Sequence, residues 1–279
     1  MKTFCYAKNQ IISSEQAAIH PLDVGLIRGY AIFDFIRIED FQPLYLAGYL
    51  ARFISSAEKL NLPLNYDQDE LQNIIYALIA KNELQQGGIR MIFSGGVSDN
   101  HFSPAGGSLF IFCEELTMPS PEKYELGVRL LSEEYIRPLA SIKTTNYTLP
   151  VWLSRKWKEM EVEDVLYHHG GIISESSRSN IFMVKDGIIS TPKLNILYGI
   201  TRKNVIALAG QVQEREISFT EILNADEVFM TSTTKRILPV TQIDGTLIRN
   251  GRPGEATQEL MEKFWQLEQR ERSSFKQEN

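Results

Sequence analysis

The chain has 279 residues, which is enough for two domains. Hydrophobic residues make up 43% and charged residues 23%, the balance of a soluble globular protein. The formal net charge is −6 and no basic tract occurs, which argues against nucleic acid or an anionic membrane surface as a partner.

The cysteines and the N-terminus indicate the compartment. Cys5 and Cys113 lack CxxC spacing, and we interpret them as buried thiols in a reducing environment. The first residues lack the apolar core of a signal peptide, and no apolar run of about 18 residues occurs. We therefore expect a cytoplasmic protein.

The first part of the chain alternates between strands and helices. A turn or half-helix at residues 23–30 precedes a strand that we expect to be buried on both faces. Apolar residues at helical spacing predict helices over 47–60 and 67–81, and Gly87-Gly88 is expected to end this helical unit. The predicted strands, rich in β-branched and aromatic residues, are residues 3–6, 11–12, 31–38, 43–46, 89–96 and 108–113.

Pro119 and Pro121, among Ser and Glu, cannot continue a helix or a central strand. We place a linker at residues 116–122. It separates a small N-terminal domain, residues 1–115, from a larger C-terminal domain, residues 123–279.

The second part is predicted to be mostly strands joined by tight turns. Its helices are expected at 150–160, after Thr201, at 219–223 and at 256–273, with a charged tail that frays. The predicted strands are residues 127–131, 165–167, 172–175, 180–184, 187–191 and 227–231.

Three features of the second part suggest one chemistry. Lys143 is a candidate nucleophile, useful only if it is held uncharged or captured as a Schiff base. Glu175, in a Ser-rich turn, could hydrogen-bond a pyridine nitrogen and keep that ring protonated. Gly199 permits a sharp turn and Thr201 can N-cap the next helix, whose N–H groups suit a phosphate. Amine, carboxylate and anion site are what a pyridoxal phosphate enzyme needs, although each has a plain structural alternative.

The sequences of these segments resemble those of the class IV aminotransferases, a family of fold-type IV pyridoxal phosphate enzymes. That family includes branched-chain aminotransferases, D-amino acid aminotransferases and aminodeoxychorismate lyases. The resemblance covers nearly the whole chain. The matching motifs are Arg28-Gly29-x-x-x-Phe33-Asp34, Leu50-x-Arg52-Phe53, Lys143-x-x-Asn146-Tyr147, Ile173-Ser174-Glu175-x-x-x-Ser179-Asn180-Ile181-Phe182, Gly199-Ile200-Thr201-Arg202 and Ala225-Asp226-Glu227-Val228-Phe229-Met230-Thr231-Ser232-Thr233.

The resemblance implies an α/β (α+β) fold with a small N-terminal α/β domain and a larger, β-barrel-like C-terminal α/β domain. It also implies pyridoxal 5′-phosphate between the domains, no metal, and at least a homodimer whose partner residues close each site. Lys143 matches the lysine that binds the cofactor and shuttles the substrate proton, and Glu175 matches the partner of the pyridine nitrogen. The other implied cofactor residues, on the ring or the phosphate, are Arg52, Tyr147, Ser177, Arg178, Leu197, Gly199, Ile200, Thr201, Ser232 and Thr233.

The substrate is left open by departures from the better-known patterns. Common bacterial D-amino acid aminotransferases carry an Arg-x-His carboxylate trap where this chain has Ser94-Gly95-Gly96. Branched-chain enzymes have Tyr-x-Arg where only Arg90 is kept, and small residues where this chain has Arg178.

We hypothesise that Arg28, Arg90 and Arg178, with Phe33, bind the substrate, for example the carboxylates of 2-oxoglutarate. The alternative for Arg28 and Arg90 is a structural pairing with Asp34 or Glu39.

These residues predict an aminotransferase that exchanges an amino group between an amino acid and a 2-oxo acid. The favoured substrates are D-amino acids, in an enzyme of a non-standard D-amino acid aminotransferase type. A branched-chain L-amino acid aminotransferase is the alternative, followed by an aminodeoxychorismate lyase. The alternative to an enzyme is a non-catalytic relative that binds the cofactor or another anion.

Overall fold

The computed structural model describes residues 2–274, so that the end of the predicted charged tail lies outside the described residues. Cα packing divides the chain into two compact units. The first contains the described residues up to Thr117, the segment Ile142–Asn146 and the described residues from Arg270 onward, and the second contains Met118–Ser141 and Tyr147–Gln269. The Lys143 segment thus packs with the first unit, although the sequence-based boundary puts it in the C-terminal domain. That residues 116–122 link two independently folding domains stays a prediction.

The first unit is built on an antiparallel sheet. Within the described residues this sheet has six strands: β1 (Phe4–Ala7), β2 (Gln10–Ser13), β3 (Ala31–Glu39), β4 (Gln42–Pro43), β5 (Gln86–Ser94) and β6 (Leu109–Glu114). Their order is β2-β1-β6-β5-β3-β4. The helices of this unit are a one-turn 3-10 helix (Ser14–Gln16), α1 (Val24–Ile27), α2 (Leu46–Lys59) and α3 (Gln68–Lys81).

Local sequence explains most of these boundaries. Lys8 and Asn9 both take positive φ, as a tight hairpin between β1 and β2 requires. Asp67 and Glu70 form a capping box that starts α3. Strand β3 is buried along most of its length on both faces, which confirms the prediction for that strand.

Two predictions in this unit are wrong. The strand predicted at 43–46 ends at Pro43, because Tyr45 takes φ 55° and caps helix α2. Gly87-Gly88 does not end a unit but lies inside β5. A Cβ on Gly88 would come within 2.1 Å of the Phe35 ring, so the glycine allows close packing within the sheet.

The second unit is a nearly closed sheet. Within the described residues it has nine strands: β7 (Val128–Glu134), β8 (Asp164–His169), β9 (Ile172–Ser176), β10 (Asn180–Lys185), β11 (Ile188–Pro192), β12 (Val212–Arg215), β13 (Glu227–Ser232), β14 (Arg236–Ile243) and β15 (Thr246–Leu247). Strand β9 pairs with both β8 and β10, which closes the ring β10-β13-β14-β7-β8-β9. The predicted barrel-like sheet is confirmed.

The remaining helices are α4 (Pro121–Leu126), α5 (Thr148–Glu159), α6 (Ile200–Ala209), α7 (Phe219–Leu223) and α8 (Glu255–Ser274). Pro121, predicted as linker, is the first residue of α4, a position that suits proline. Gly199, not Thr201, is the N-cap of α6, so the predicted Thr201 cap is wrong. Strands β12, β14 and β15 were not predicted, and Pro239 inside β14 is the kind of residue that argues against a strand.

None of the helices within residues 2–274 combines the length and the apolar character needed to cross a membrane.

Candidate active site

The Lys143 segment is held along β3 by its backbone. The Lys143 carbonyl accepts a hydrogen bond from Phe33 N at 2.9 Å, and Thr145 N donates to the Ala31 carbonyl at 3.0 Å. The Lys143 Nζ lies 4.6 Å from the centroid of the Phe33 ring. The candidate nucleophile is therefore half-buried at a fixed point of the sheet, with its amine on an aromatic face.

Arg52 on α2 is clamped by a buried carboxylate. Its Nε and a terminal nitrogen donate to the two oxygens of Asp34, at 2.9 Å and 2.7 Å. Asp34 is completely buried, and the guanidinium also lies over the Tyr49 ring at 5.2 Å. This bidentate pair fixes the direction of the guanidinium. Phosphate binding by Arg52 stays a prediction.

Two of the predicted substrate arginines also lie in the first unit. Arg90 pairs with Glu114 at 2.5 Å and stacks over the Phe33 ring at 5.5 Å. The alternative prediction, that Arg90 pairs with Asp34 or Glu39, is wrong, because its partner is Glu114. The side chain of Arg28, which caps the end of α1, is exposed.

Glu175 on β9 is a buried carboxylate with two donors. Arg137 Nε donates to Oε1 at 2.9 Å, and Leu197 N donates to Oε2 at 2.8 Å. Arg137 also donates to the Ala140 carbonyl. The two donors stabilise the charged form and set the plane of the carboxylate. Arg137 was not predicted, since no motif distinguishes it in its loop.

The loop before α6 is anchored beside Glu175. Asn180 Nδ2 donates to the Leu197 carbonyl at 2.7 Å, so both polar backbone groups of Leu197 are bound. A Cβ on Gly199 would come within 2.3 Å of Asn180 Oδ1. Gly199 caps α6 without a side-chain hydrogen bond, and the first N–H groups of a helix lack intrahelical partners. This helix mouth is suited to an anion.

Buried hydroxyl groups near these segments have no hydrogen-bond partner. Thr231 lies opposite Asn180 in the pairing of β10 with β13, and its neighbour Ser232 ends β13. Buried hydroxyls normally have a partner, so these oxygens keep unused hydrogen-bonding capacity. Among the described residues, the unpartnered hydroxyl oxygens in this part of the sheet belong to Ser176, Ser179, Thr231 and Ser232.

Tyr147, the N-cap of α5, has a perturbed phenol. Burial raises its pKa, the Arg137 charge lowers it, the Glu175 charge raises it and the Arg178 charge lowers it, with a net rise. The phenol is therefore protonated at neutral pH and can donate a hydrogen bond.

The two residues after the Ser-rich strand point to different surroundings. The Ser177 hydroxyl donates to buried Asp164 at 2.5 Å, whereas the Arg178 side chain is exposed. Their predicted contacts with the cofactor stay predictions. Within residues 2–274, no group of His, Cys, Asp and Glu side chains is arranged to hold a metal ion.

The chain is similar to known proteins over nearly its whole length. The amino-transferase class IV family matches residues 31–243. The D-alanine aminotransferase of Staphylococcus epidermidis is 31% identical over 273 residues, covering 94% of this chain and 96% of the relative. The putative branched-chain-amino-acid aminotransferase of Methanocaldococcus jannaschii is 30% identical, covering 93% and 94%. The crystal structure of the Escherichia coli branched-chain amino acid aminotransferase superposes with a TM-score of 0.89 at 26% identity, covering 96% of this chain and 95% of that chain.

The residues described above fit the cofactor of that family. A half-buried amine, a buried charged carboxylate, an open helix N-terminus and unpartnered hydroxyls are the donors and acceptors that an aldehyde, a pyridine nitrogen and a phosphate require. The chain belongs to the class IV aminotransferases, enzymes that depend on pyridoxal 5′-phosphate.

Proposed function

We propose that Lys143 is the catalytic residue of this aminotransferase. Its amine would hold the cofactor through the carbonyl group of that cofactor and would move a proton to and from the substrate carbon. Glu175 would accept a hydrogen bond from the pyridine nitrogen and keep that nitrogen protonated. When bound, pyridoxal phosphate withdraws electrons from the substrate carbon. The two donors on Glu175 support this role, because a carboxylate that stays charged keeps the ring nitrogen protonated.

The phosphate is proposed to lie at the mouth of α6. The N–H groups of Ile200 and Thr201 and the hydroxyls of Ser232 and Thr233 would bind it, together with Arg52. The helix N-terminus and the unpartnered Ser232 hydroxyl support this assignment.

The proposed reaction moves an amino group from a D-amino acid to 2-oxoglutarate. The observation that carries this choice of donor is the 31% identity to a D-alanine aminotransferase over 94% of this chain. Aminodeoxychorismate cleavage remains a further alternative, recognised by pyruvate release without a 2-oxo acid acceptor.

The carboxylate of a D-amino acid would need a cation outside the end of β5. Ser94 there donates to buried Asp23 at 2.8 Å, and a Cβ on Gly95 would come within 2.4 Å of Val24. This turn has no room for a larger side chain, so no arginine trap fits it. We propose that the exposed guanidinium of Arg178 binds the second carboxylate of glutamate and 2-oxoglutarate.

Branched-chain L-amino acids are the second candidate donors. The 30% identical putative branched-chain-amino-acid aminotransferase and the E. coli structure at a TM-score of 0.89 favour them. For either donor we propose a homodimer, which light scattering would detect as twice the mass of the 31.8 kDa chain.

A half-reaction screen tests the donor. Holoenzyme is mixed with D-alanine, D-glutamate, L-leucine or L-valine, and the absorbance of the bound cofactor at roughly 410–420 nm is followed. Loss of the band with D-amino acids alone supports the proposal, whereas loss with L-leucine and L-valine alone establishes the second candidate. Lys143→Ala should lack the band, and a wild-type protein that stays colourless with added cofactor contradicts the enzyme reading.

A kinetic comparison tests Arg178. Arg178→Ala should raise KM for glutamate far more than KM for a neutral donor, because only glutamate carries a second carboxylate. Arg155→Ala, which removes an exposed arginine paired with Glu159, is the matched control. Equal effects of Arg178→Ala on both donors would contradict the assignment.

A further inference from the structure

A buried ion pair that no motif indicated lies in the second unit. Asp164, the first residue of β8, is completely buried, and Lys235 is 4% exposed. Lys235 Nζ lies 2.9 Å from Asp164 Oδ2 and 3.5 Å from Glu163 Oε1. Withdrawing two charges from water is costly, and in some proteins such a buried pair fixes one arrangement of the chain.

The pair joins two segments that carry proposed cofactor residues. Ser177 follows Glu175 by two residues, and its hydroxyl donates to Asp164 Oδ1 at 2.5 Å. Lys235 ends the turn that follows β13, two residues after Thr233, and its N–H donates to the Ser232 carbonyl at 3.3 Å. Asp164 therefore connects two segments through side-chain contacts. One carries Glu175 and Ser177 and is called the Glu175 turn. The other carries Ser232 and Thr233 and is called the Ser232–Thr233 turn.

The contacts keep Asp164 ionised. Burial raises its pKa, but the charges of Lys235 and Arg178 and the hydrogen bond from Ser177 outweigh burial and lower it. A matched apolar pair of similar volume would stabilise the fold about equally well, so stability alone does not account for two buried charges here. What the charges add is a single arrangement of the two turns.

We propose that Asp164 and Lys235 are positioning residues that set the spacing between the Glu175 turn and the Ser232–Thr233 turn, and so determine the affinity for the phosphate of the cofactor. This inference rests on the proposed binding of pyridoxal 5′-phosphate by those turns. Neither side chain is assigned a contact with the cofactor.

The test compares pyridoxal 5′-phosphate with pyridoxal, which lacks the phosphate, by equilibrium dialysis against apoprotein. Asp164→Asn and Lys235→Met should each raise Kd for the phosphorylated form at least about ten-fold while changing Kd for pyridoxal less than about two-fold. A role in fold stability alone would lower Tm and weaken both ligands alike. Lys185→Met, which removes a half-exposed lysine paired with Asp226, is the matched control and should change neither Kd.

Four outcomes separate the possibilities. If Asp164→Asn tightens the phosphorylated cofactor while Lys235→Met weakens it, Lys235 contacts the phosphate directly and the positioning role is overturned. If a single variant does not fold, the double variant Asp164→Asn/Lys235→Met decides, since it leaves no unpaired buried charge and should fold but lack the preference for the phosphorylated form. A folded double variant with wild-type preference overturns the inference, whereas a wild-type protein that binds neither ligand contradicts the proposed function instead.

Discussion

Replacing Arg137 by methionine removes the guanidinium donor from a buried carboxylate. The change keeps most of the aliphatic length but deletes the Nε–H that lies 2.9 Å from Glu175 Oε1. The two side chains are 9% and 5% exposed, so water cannot replace the lost partner. Leu197 N would remain as the donor to the other oxygen.

The expected cost follows from burial. Removing one member of a buried ion pair destabilises a protein by about 3–5 kcal/mol. Arg155 and Glu159 provide the comparison, since their 2.8 Å contact has the same length but the side chains are 88% and 61% exposed. An exposed pair four residues apart on a helix contributes about 0.3–0.5 kcal/mol. Arg137→Met should therefore cost several times more than Arg155→Met.

Urea unfolding of the apoprotein, followed by tryptophan fluorescence, measures the difference. Trp152, Trp157 and Trp265 are the chain's 3 tryptophans and all lie in the unit that contains Arg137. With a slope of about 2 kcal/mol per molar urea, the midpoint should fall by about 1.5–2.5 M for Arg137→Met and by less than about 0.3 M for Arg155→Met.

Equal midpoints for the two variants would refute the argument from burial. The double variant Arg137→Met/Glu175→Gln leaves no unpaired charge and should recover part of the loss. A double variant that is less stable than Arg137→Met would also contradict it.

Two further predictions concern a thiol and a glycine. Burial raises the pKa of the Cys113 thiol to about 11, so iodoacetamide at pH 8 should label Cys113 in native protein far more slowly than in urea, as read by mass spectrometry of its peptide, and equal rates would contradict this prediction. Gly199→Ala should weaken pyridoxal 5′-phosphate binding at least about ten-fold because its methyl group would displace the loop that Asn180 anchors. Gly106→Ala, at an open position, should bind like wild type in the same titration, and a Gly199→Ala protein that also does so would contradict the steric argument.

Local patterns accounted for much of the fold. Helix α3 was predicted from apolar spacing, and its capping box explains where it begins. Strand β14 lies outside the predicted strands, and Pro239 inside it is a residue that argues against a strand. The prediction for Gly88 is wrong because the sequence alone does not distinguish a glycine that allows a close approach to an aromatic ring from one that ends an element.

The motifs also located the segments of the candidate site, but not the groups that hold them. Lys143, Glu175 and Gly199 were proposed from short stretches of chain. The partners of the charged groups are distant in sequence: Arg137 and Glu175 are 38 residues apart, and Lys235 and Asp164 are 71 apart. No local pattern links such residues, because only the closed sheet brings them together.

The amino-acid order alone was sufficient for the family, the cofactor chemistry and the run of most helices and strands, since these depend on short-range spacing and on motif wording. The tertiary structure decided which charges are paired. It assigned Arg52 to Asp34, Arg90 to Glu114 and Glu175 to Arg137, and it left Arg178 exposed. The reason is physical: a buried charge requires a partner at hydrogen-bond distance, and the choice of that partner is made by strand register and sheet closure, which join residues far apart along the chain.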